Sequence, residues 1–271
     1  MIFNDTYTHK SFVDQLLNKK RPLNLSGLII PKSLKVLLLA PHPDDFDAIG
    51  ITMRAFYLNG NEINLAVLTT GVSGVEDVYA EKIGNQNKAA IREEEQKASI
   101  NFFGLEPEHL TFLRLDNDET QHMAVNETNF LHIKKIWDKH KPDIVFLPHG
   151  SDTNVDHRRT YGMYKKILET ETKPVIAFLN KDPKTIEMRY DVVTTFCEAD
   201  AVWKGELLRF HKSQQERNMR TRSHGVDERI LNVNKKDAEE LMLPECFVEI
   251  FELEFHPKDR TQICYDYYDR P

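Results

Sequence analysis

His42, Asp44 and Asp45 stand together in the run P-H-P-D-D-F-D, and His157 closes a second polar run, D-T-N-V-D-H, about a hundred residues further on. Imidazole nitrogen and carboxylate oxygen are the donors that a borderline divalent cation such as Zn2+ accepts. Three such ligands with a fourth position left for water make a catalytic rather than a structural zinc site. His42 and Asp45 are three residues apart, a spacing that brings both side chains onto one ion across a turn and leaves Asp44 directed elsewhere. His157 becomes the third ligand only if the fold joins the two runs. Taken alone, Asp44 and Asp45 would serve equally well as helix caps, accepting backbone N–H groups and offsetting the dipole. The pairing of the two clusters is what points to a metal.

Strands must do the positioning. Val36 to Ala40 is apolar on both faces, which predicts a central parallel strand covered on each side, and it ends just before His42. Asp143 to Pro148 is a second such strand, ending at the run 149–157. Between them the pattern predicts a helix from Ile49 to Tyr57, a strand from Ile63 to Leu68, a long helix over 82–103 stopped by Gly104, a short strand at 110–113 and a helix around 131–137. A short helix over 11–18 precedes them. Beyond lie a helix over 161–168, strands at 175–179 and 190–196, and a helix over 201–217 whose end, 210–214, is placed to fold back over the strand ends. A polar loop over 218–235, a helix over 237–242 and a late strand at 246–253 complete the reading.

Strands alternating with helices predict an α/β fold, a Rossmann-like and mainly parallel sheet flanked by helices in a single domain. In the doubly wound order 3-2-1-4-5 the first and fourth strands are neighbours, and their carboxyl ends flank the crevice where such sheets bind ligands. The organisation expected is an N-terminal arm over 1–34, the catalytic domain over 35–253 and a C-terminal tail over 254–271.

Composition narrows the function. The 271 residues carry 36 Lys and Arg against 43 Asp and Glu, a net charge of −7 without a basic block, which argues against nucleic acid or an anionic membrane surface as partner. No apolar run approaches the ~18 residues of a membrane span and the first residues lack a signal-peptide profile, so a cytoplasmic protein is expected. Cys197, Cys246 and Cys264 form no C-x-x-C pattern, so neither a disulfide framework nor a cysteine zinc site is indicated. No G-x-G-x-x-G follows the first strand, which disfavours a dinucleotide-dependent oxidoreductase. His9, His109, His122, His132, His140, His224 and His256 are assigned no role in the site; His149 and His211 remain open. A homo-oligomer is neither required nor excluded.

With these motifs in place the chain resembles the LmbE-like, or PIG-L, family of zinc-dependent N-deacetylases. The resemblance runs from about residue 35 to 253. It rests on P-H-P-D-D-F-D, on D-T-N-V-D-H, on T-T-G at 69–71, on R-E-E-E at 92–95 and on H-K-S-Q at 211–214. It implies that His42, Asp45 and His157 hold one Zn2+ per chain and that Asp44 is the general base. It also implies that Arg92, Asn154 and Asp156 lie in the substrate pocket, although Arg92 would equally make a structural ion pair. The expected substrate is a small N-acetylamino sugar or a conjugate of one, from which the acyl group is hydrolysed. A zinc amidase acting on a non-sugar amide and a non-catalytic metal- or sugar-binding relative are the alternatives. Two positions depart from the family pattern. Phe46 replaces the acid that usually follows D-D, with Asp47 one residue late, and Asn154 replaces a histidine three residues before the final ligand. An amide side chain does not donate a proton as that histidine would, which leaves Asp44, His149 and His211 as candidate donors.

Overall fold

A computed structural model of the protein describes residues 9–243 and 247–256. The chain begins with α1 (His9–Asn18) and β1 (Leu23–Asn24), then β2 (Lys35–Ala40), α2 (Asp45–Ala48), α3 (Gly50–Leu58) and β3 (Glu62–Val67). It continues through α4 (Asp77–Lys82), α5 (Lys88–Phe103), β4 (Leu110–Phe112), α6 (Glu127–His140), β5 (Ile144–Pro148) and α7 (Val155–Leu168). The remaining elements are β6 (Val175–Asn180), β7 (Val192–Phe196), α8 (Glu198–Arg209), α9 (Lys212–Arg222), α10 (Val226–Glu240) and β8 (Phe247–His256).

Among the described residues the strands form one eight-stranded sheet in the order β1-β7-β8-β6-β5-β2-β3-β4. The five strands from β4 to β6 are parallel and stand in the order read from sequence, so β2 and β5 are neighbours, with Val36 opposite Ile144. β8 is inserted antiparallel between β6 and β7. The sheet is therefore mixed though mostly parallel, and it is flanked by helices on both faces.

Alternation along β2 divides the core. Val36, Leu38 and Ala40 face one cluster with Phe56, Phe146, Phe178 and Phe251, while Leu37 and Leu39 face another with Trp137, Val145, Leu147 and Tyr164. Full burial of each large side chain contributes roughly 1.5–3 kcal/mol. Both faces of β2 are thus fixed, and the position of its carboxyl end follows. Phe12, Val13 and Leu16 of α1 join the first cluster, and β1 pairs in parallel with β7.

Four local expectations change. The long helix expected over 82–103 is split, with α4 ending at Lys82 and α5 starting at Lys88 after an N-cap by Asn87, whose side chain accepts from the Ala90 N–H. The helix over 201–217 breaks at Phe210 and His211 into α8 and α9. The expected loop over 218–235 is instead the end of α9 and most of α10. Finally, β8 runs on to His256. The buried positions of α10, among them Val226, Ile230, Asn234 and Ala238, recur at helical spacing but include polar residues, which hides the stripe from a reading by hydrophobicity. Cys246, Cys264 and residues 1–8 and 257–271 of the expected arm and tail lie outside the described residues. No helix among the described residues is long and apolar enough to cross a membrane.

Candidate metal centre and active site

The T-T-G segment after β3 clamps the end of β2. The Leu68 N–H donates to the Ala40 carbonyl at 2.8 Å, and both the N–H and the hydroxyl of Thr69 donate to the Pro41 carbonyl at 3.0 and 2.8 Å. The chain then turns sharply, and the Asp45 carboxylate accepts the His42 N–H at 2.7 Å. Asp44 sits at φ +109°, in a region uncommon for a residue with a Cβ, and its N–H donates to Gln96 Oε1 at 3.1 Å. It makes no side-chain capping bond to α2, so a simple cap does not account for the D-D pair. The turn sends adjacent carboxylates to different surroundings.

His42, Asp45 and His157 offer ligand atoms that all lie within 4.8 Å of one another. His42 Nδ1 is 3.5 Å from one Asp45 oxygen and His157 Nε2 is 3.6 Å from the other. The opposite ring nitrogens are each held by a carboxylate, His42 Nε2 by Asp156 and His157 Nδ1 by Asp152, both at 3.0 Å. A carboxylate behind each imidazole fixes the tautomer and ring plane and raises ligand basicity, as is usual around bound metals. Asp182 forms a second candidate group with Asp152 and His157.

The electrostatics agree. Burial acts to lower the His42 pKa, but hydrogen bonds to Asp156 and Asp45 outweigh it and raise it to about 9. Against the same effect of burial, Asp152 and Asp45 raise His157 to about 10. Burial would raise Asp45, yet the two imidazoles hold its carboxyl well below the usual range. Carboxylates that hold two histidines protonated also favour a divalent cation in place of those protons. In donor type, grouping and outer support, the residues fit a single Zn2+-like ion.

The other expected site residues are distributed unevenly. Arg92 is 2% exposed, with Nη2 3.3 Å from Asp44 Oδ1 and Nη1 3.5 Å from Glu95 Oε2. The same Nη2 donates to the Pro43 carbonyl, and Nε has no hydrogen-bond partner among the described residues. Arg92 therefore makes the ion pair and also lines the cavity. Asn154 is the N-cap of α7, its Oδ1 accepting the Asp156 N–H at 3.0 Å. The Asp156 oxygens are engaged with the His42 and His122 rings and with the Met123 N–H.

Neither open histidine lines the cavity. His149 Nε2 lies 3.4 Å from Glu252, and His211, fully buried, has Nε2 2.5 Å from Asp47. Asp47 also accepts from Ser99 and Gln96, so it ties the H-K-S-Q segment to α5. Phe46 is fully buried and meets Phe103 edge-on at 4.9 Å, a core contact. His122 is the residue that sequence reading passed over. It lines the cavity with Nδ1 3.2 Å from Asp156 Oδ2, and its Nε2 has no hydrogen-bond partner among the described residues. Its loop, D-N-D-E-T-Q-H-M, contains no spacing that would have marked it.

The cavity encloses about 270 Å³ at the carboxyl ends of β2 and β5. His42, Asp45 and His157 form its floor, and α9 and α10 contribute a wall. The loop after β3 comes close. At Gly71, φ +61°, a Cβ would sit 3.2 Å from Pro43 Cδ, and at Gly74 a Cβ would come within 2.8 Å of the Gln214 amide. Gln214 in turn donates to the Gly74 carbonyl at 2.9 Å.

Residues 37–168, which carry the whole floor of this cavity but not its helical wall, match the family model described as PIG-L: GlcNAc-PI de-N-acetylase. This stretch is a PIG-L, or LmbE-like, domain. The PIG-L fold extends beyond the matched stretch. N,N'-diacetylchitobiose deacetylase from Pyrococcus horikoshii, complexed with its inhibitor MPG, is similar at a TM-score of 0.66 and 18% identity, over 93% of this chain and 95% of that one. GalB, the 4-carboxy-2-hydroxymuconate hydratase from Pseudomonas putida, is similar at 0.58 and 16%, over 82% and 95%. The zinc-inhibited form of teicoplanin deacetylase Orf2 is similar at 0.58 and 13%, over 82% and 98%. No curated protein matches the chain by sequence. At these identities the likeness establishes the fold, and the fold serves a hydratase as well as deacetylases.

Proposed function

We propose that the protein is a metal-dependent hydrolase that removes an N-acyl group, most simply acetyl, from a small amino sugar or a conjugate of one. The observation that carries this reading is the ligand set His42, Asp45 and His157 on the floor of the cavity, with a further carboxylate, Asp44, in the same turn. These three residues would hold one Zn2+ per chain, which when bound supplies Lewis-acid polarisation of a carbonyl and lowers the pKa of a water toward ~7.

Asp44 is the general base, accepting a proton from the attacking water. Arg92, 3.3 Å away and almost fully buried, pairs with that carboxylate and fixes its direction. The oxygen of water adds to the acyl carbon, the C–N bond breaks, and the departing nitrogen needs a proton. His122 is the imidazole facing the cavity that can deliver one, with Nδ1 anchored on Asp156 and Nε2 free of other partners among the described residues. Asn154, occupied as the cap of α7, contributes position instead of a proton.

Metal analysis of the purified protein, combined with acetate release from a panel of N-acetylamino sugars, tests the reading. Bound divalent metal and acetate release are expected, with turnover abolished by chelation and lowered ~10²–10⁴-fold in Asp44→Asn. Protein that binds no divalent metal, or an Asp44→Asn variant as fast as wild type, would sink it. Acyl release confined to non-sugar amides would keep the chemistry and replace the substrate.

A further inference from the structure

Amide hydrolysis accounts for the floor of the cavity and leaves its helical wall unexplained. There α9 and α10 present Arg217, Arg222 and Arg229, and Lys184 reaches the same cavity from the segment after β6. Acids outnumber bases in this chain, and eight of the twelve described arginines lie within 4.0 Å of a carboxylate. On these same two helices and at their approach, Arg220 pairs with Glu76 and Arg209 with Asp227. Of the four exceptions, Arg158 donates to the Asp152 carbonyl, and the other three are the cavity arginines of α9 and α10.

Arg222 donates only to the neutral oxygens of Asn218 and Thr221, at 3.2 and 3.3 Å. The side chains of Arg217 and Arg229 make neither hydrogen bond nor ion pair among the described residues, although both are partly withdrawn from solvent. Arg217 shares a helix face with Gln214 and Asn218, which line the cavity with it. The acids of the cavity form no ion pair with these arginines: Asp44 faces Arg92, Asp45 and Asp156 face imidazoles, and Asp182 and Asp44 act on Arg229 only from beyond 4.0 Å. An isolated unpaired arginine on a surface is ordinary. Three lining one cavity, with Arg217 and Arg229 partly desolvated and Arg222 repelling Arg229, are an arrangement that an anion would relieve. Guanidinium forks match the planar oxygen pairs of carboxylate and phosphate.

We propose that Arg217, Arg222 and Arg229 form a subsite for an oxyanion carried by the substrate, so that the acylated amino sugar is taken as an anionic conjugate. This rests on the amide-hydrolase reading for what occupies the floor, with the acylamino group over His42, Asp45 and His157 and the phosphate or carboxylate against the arginines. The cavity, about 270 Å³, is at the small end for ligand sites, which suits a sugar carrying one compact charged group better than an extended glycan.

The test compares N-acetylglucosamine with its 1-phosphate, its 6-phosphate and its carboxymethyl glycoside, in the metal-loaded enzyme and in Arg217→Gln and Arg229→Gln. A preference for at least one anionic compound of roughly a hundredfold in kcat/KM is expected, and each variant should reduce that ratio about tenfold, as for loss of a charge-assisted hydrogen bond. Arg217→Lys and Arg229→Lys should each retain part of the ratio that the glutamine variants lose. Which anionic compound is preferred separates phosphate from carboxylate. Equal or faster hydrolysis of the neutral sugar overturns the subsite and leaves the hydrolase reading intact. If no compound is hydrolysed, calorimetric titration of the 1-phosphate decides. Binding by wild type that both glutamine variants lose, with unchanged melting temperatures, upholds the subsite without the reaction, and no binding overturns it.

Discussion

At the scale of single residues, the site assigns different work to groups of one type through what faces them. Asp45 lies between two imidazoles and Asp44 against a guanidinium, although they are neighbours in sequence. The histidines differ in the same way. His42 and His157 each have a carboxylate behind one nitrogen and Asp45 in front of the other, whereas His122 has only the carboxylate behind. An imidazole in that position is a proton donor more readily than a ligand. His122→Gln keeps a polar side chain of similar reach but cannot carry an exchangeable proton through its ring. It is expected to retain bound metal and to lower kcat roughly 10²-fold or more on a sugar acetamide. The defect should shrink on an N-acetyl anilide, whose weakly basic amine needs less help to leave. A uniform loss on both substrates, or loss of the metal, would reduce His122 to a support for Asp156.

At the scale of elements, the wall over the site depends on contacts to residues far away in sequence. Helix α9 buries only Ser213, Gln214 and Asn218 of its eleven residues, so hydrophobic burial does little to hold it. Glu95 of α5 supplies the anchor, accepting the Ser213 N–H at 2.6 Å and the Ser213 hydroxyl at 2.7 Å at the helix N-terminus. Glu95→Ala leaves these donors and Arg92 without their carboxylate, at a cost of about 2–3 kcal/mol. Urea unfolding should show that loss, and limited proteolysis should cut first within 211–225. A variant as stable and as resistant as wild type would show that α9 is held by other contacts.

The same helix shows where sequence ceases to be informative. The five-strand parallel order and the meeting of 42–45 with 152–157 were legible because short apolar runs end at unusual polar clusters. The helices over 218–235 were not, since α9 is held at its start by the distant Glu95 and the buried stripe of α10 includes polar residues, neither of which a local hydrophobic pattern displays. His122 escaped for a related reason, because only the position of Asp156 in space gives it a role. Phe46 and Asn154 looked like defects in a motif, and the structure shows each in a different task, as core contact and helix cap.

At the scale of the whole molecule, the sheet holds a buried hydroxyl that should limit tolerance of alkali. Tyr164 is fully buried between α7 and the sheet, and its hydroxyl has no hydrogen-bond partner among the described residues. Burial, with Glu254 and Tyr161 adding repulsion, pushes its pKa well above the ordinary tyrosine value. Burial and nearby Glu95 and Glu216 also raise Tyr79, to about 12. In the unfolded chain both would ionise near ~10. A folded-state pKa above the unfolded one means that the native protein retains the proton longer. The stability from these groups is therefore fully present below pH ~10 and falls as pH rises above it, by up to ~1.4 kcal/mol per pH unit for each group. Tyr164→Phe removes one of the two and also removes an unpartnered polar atom from the core. It is expected to equal or exceed wild type by about 1 kcal/mol at pH 7 and to lose stability less steeply between pH 10 and 11, as read from urea midpoints. Parallel curves for the two proteins over that interval would mean that the hydroxyl finds a partner in solution, and that alkaline sensitivity resides in Tyr79 and the net negative charge.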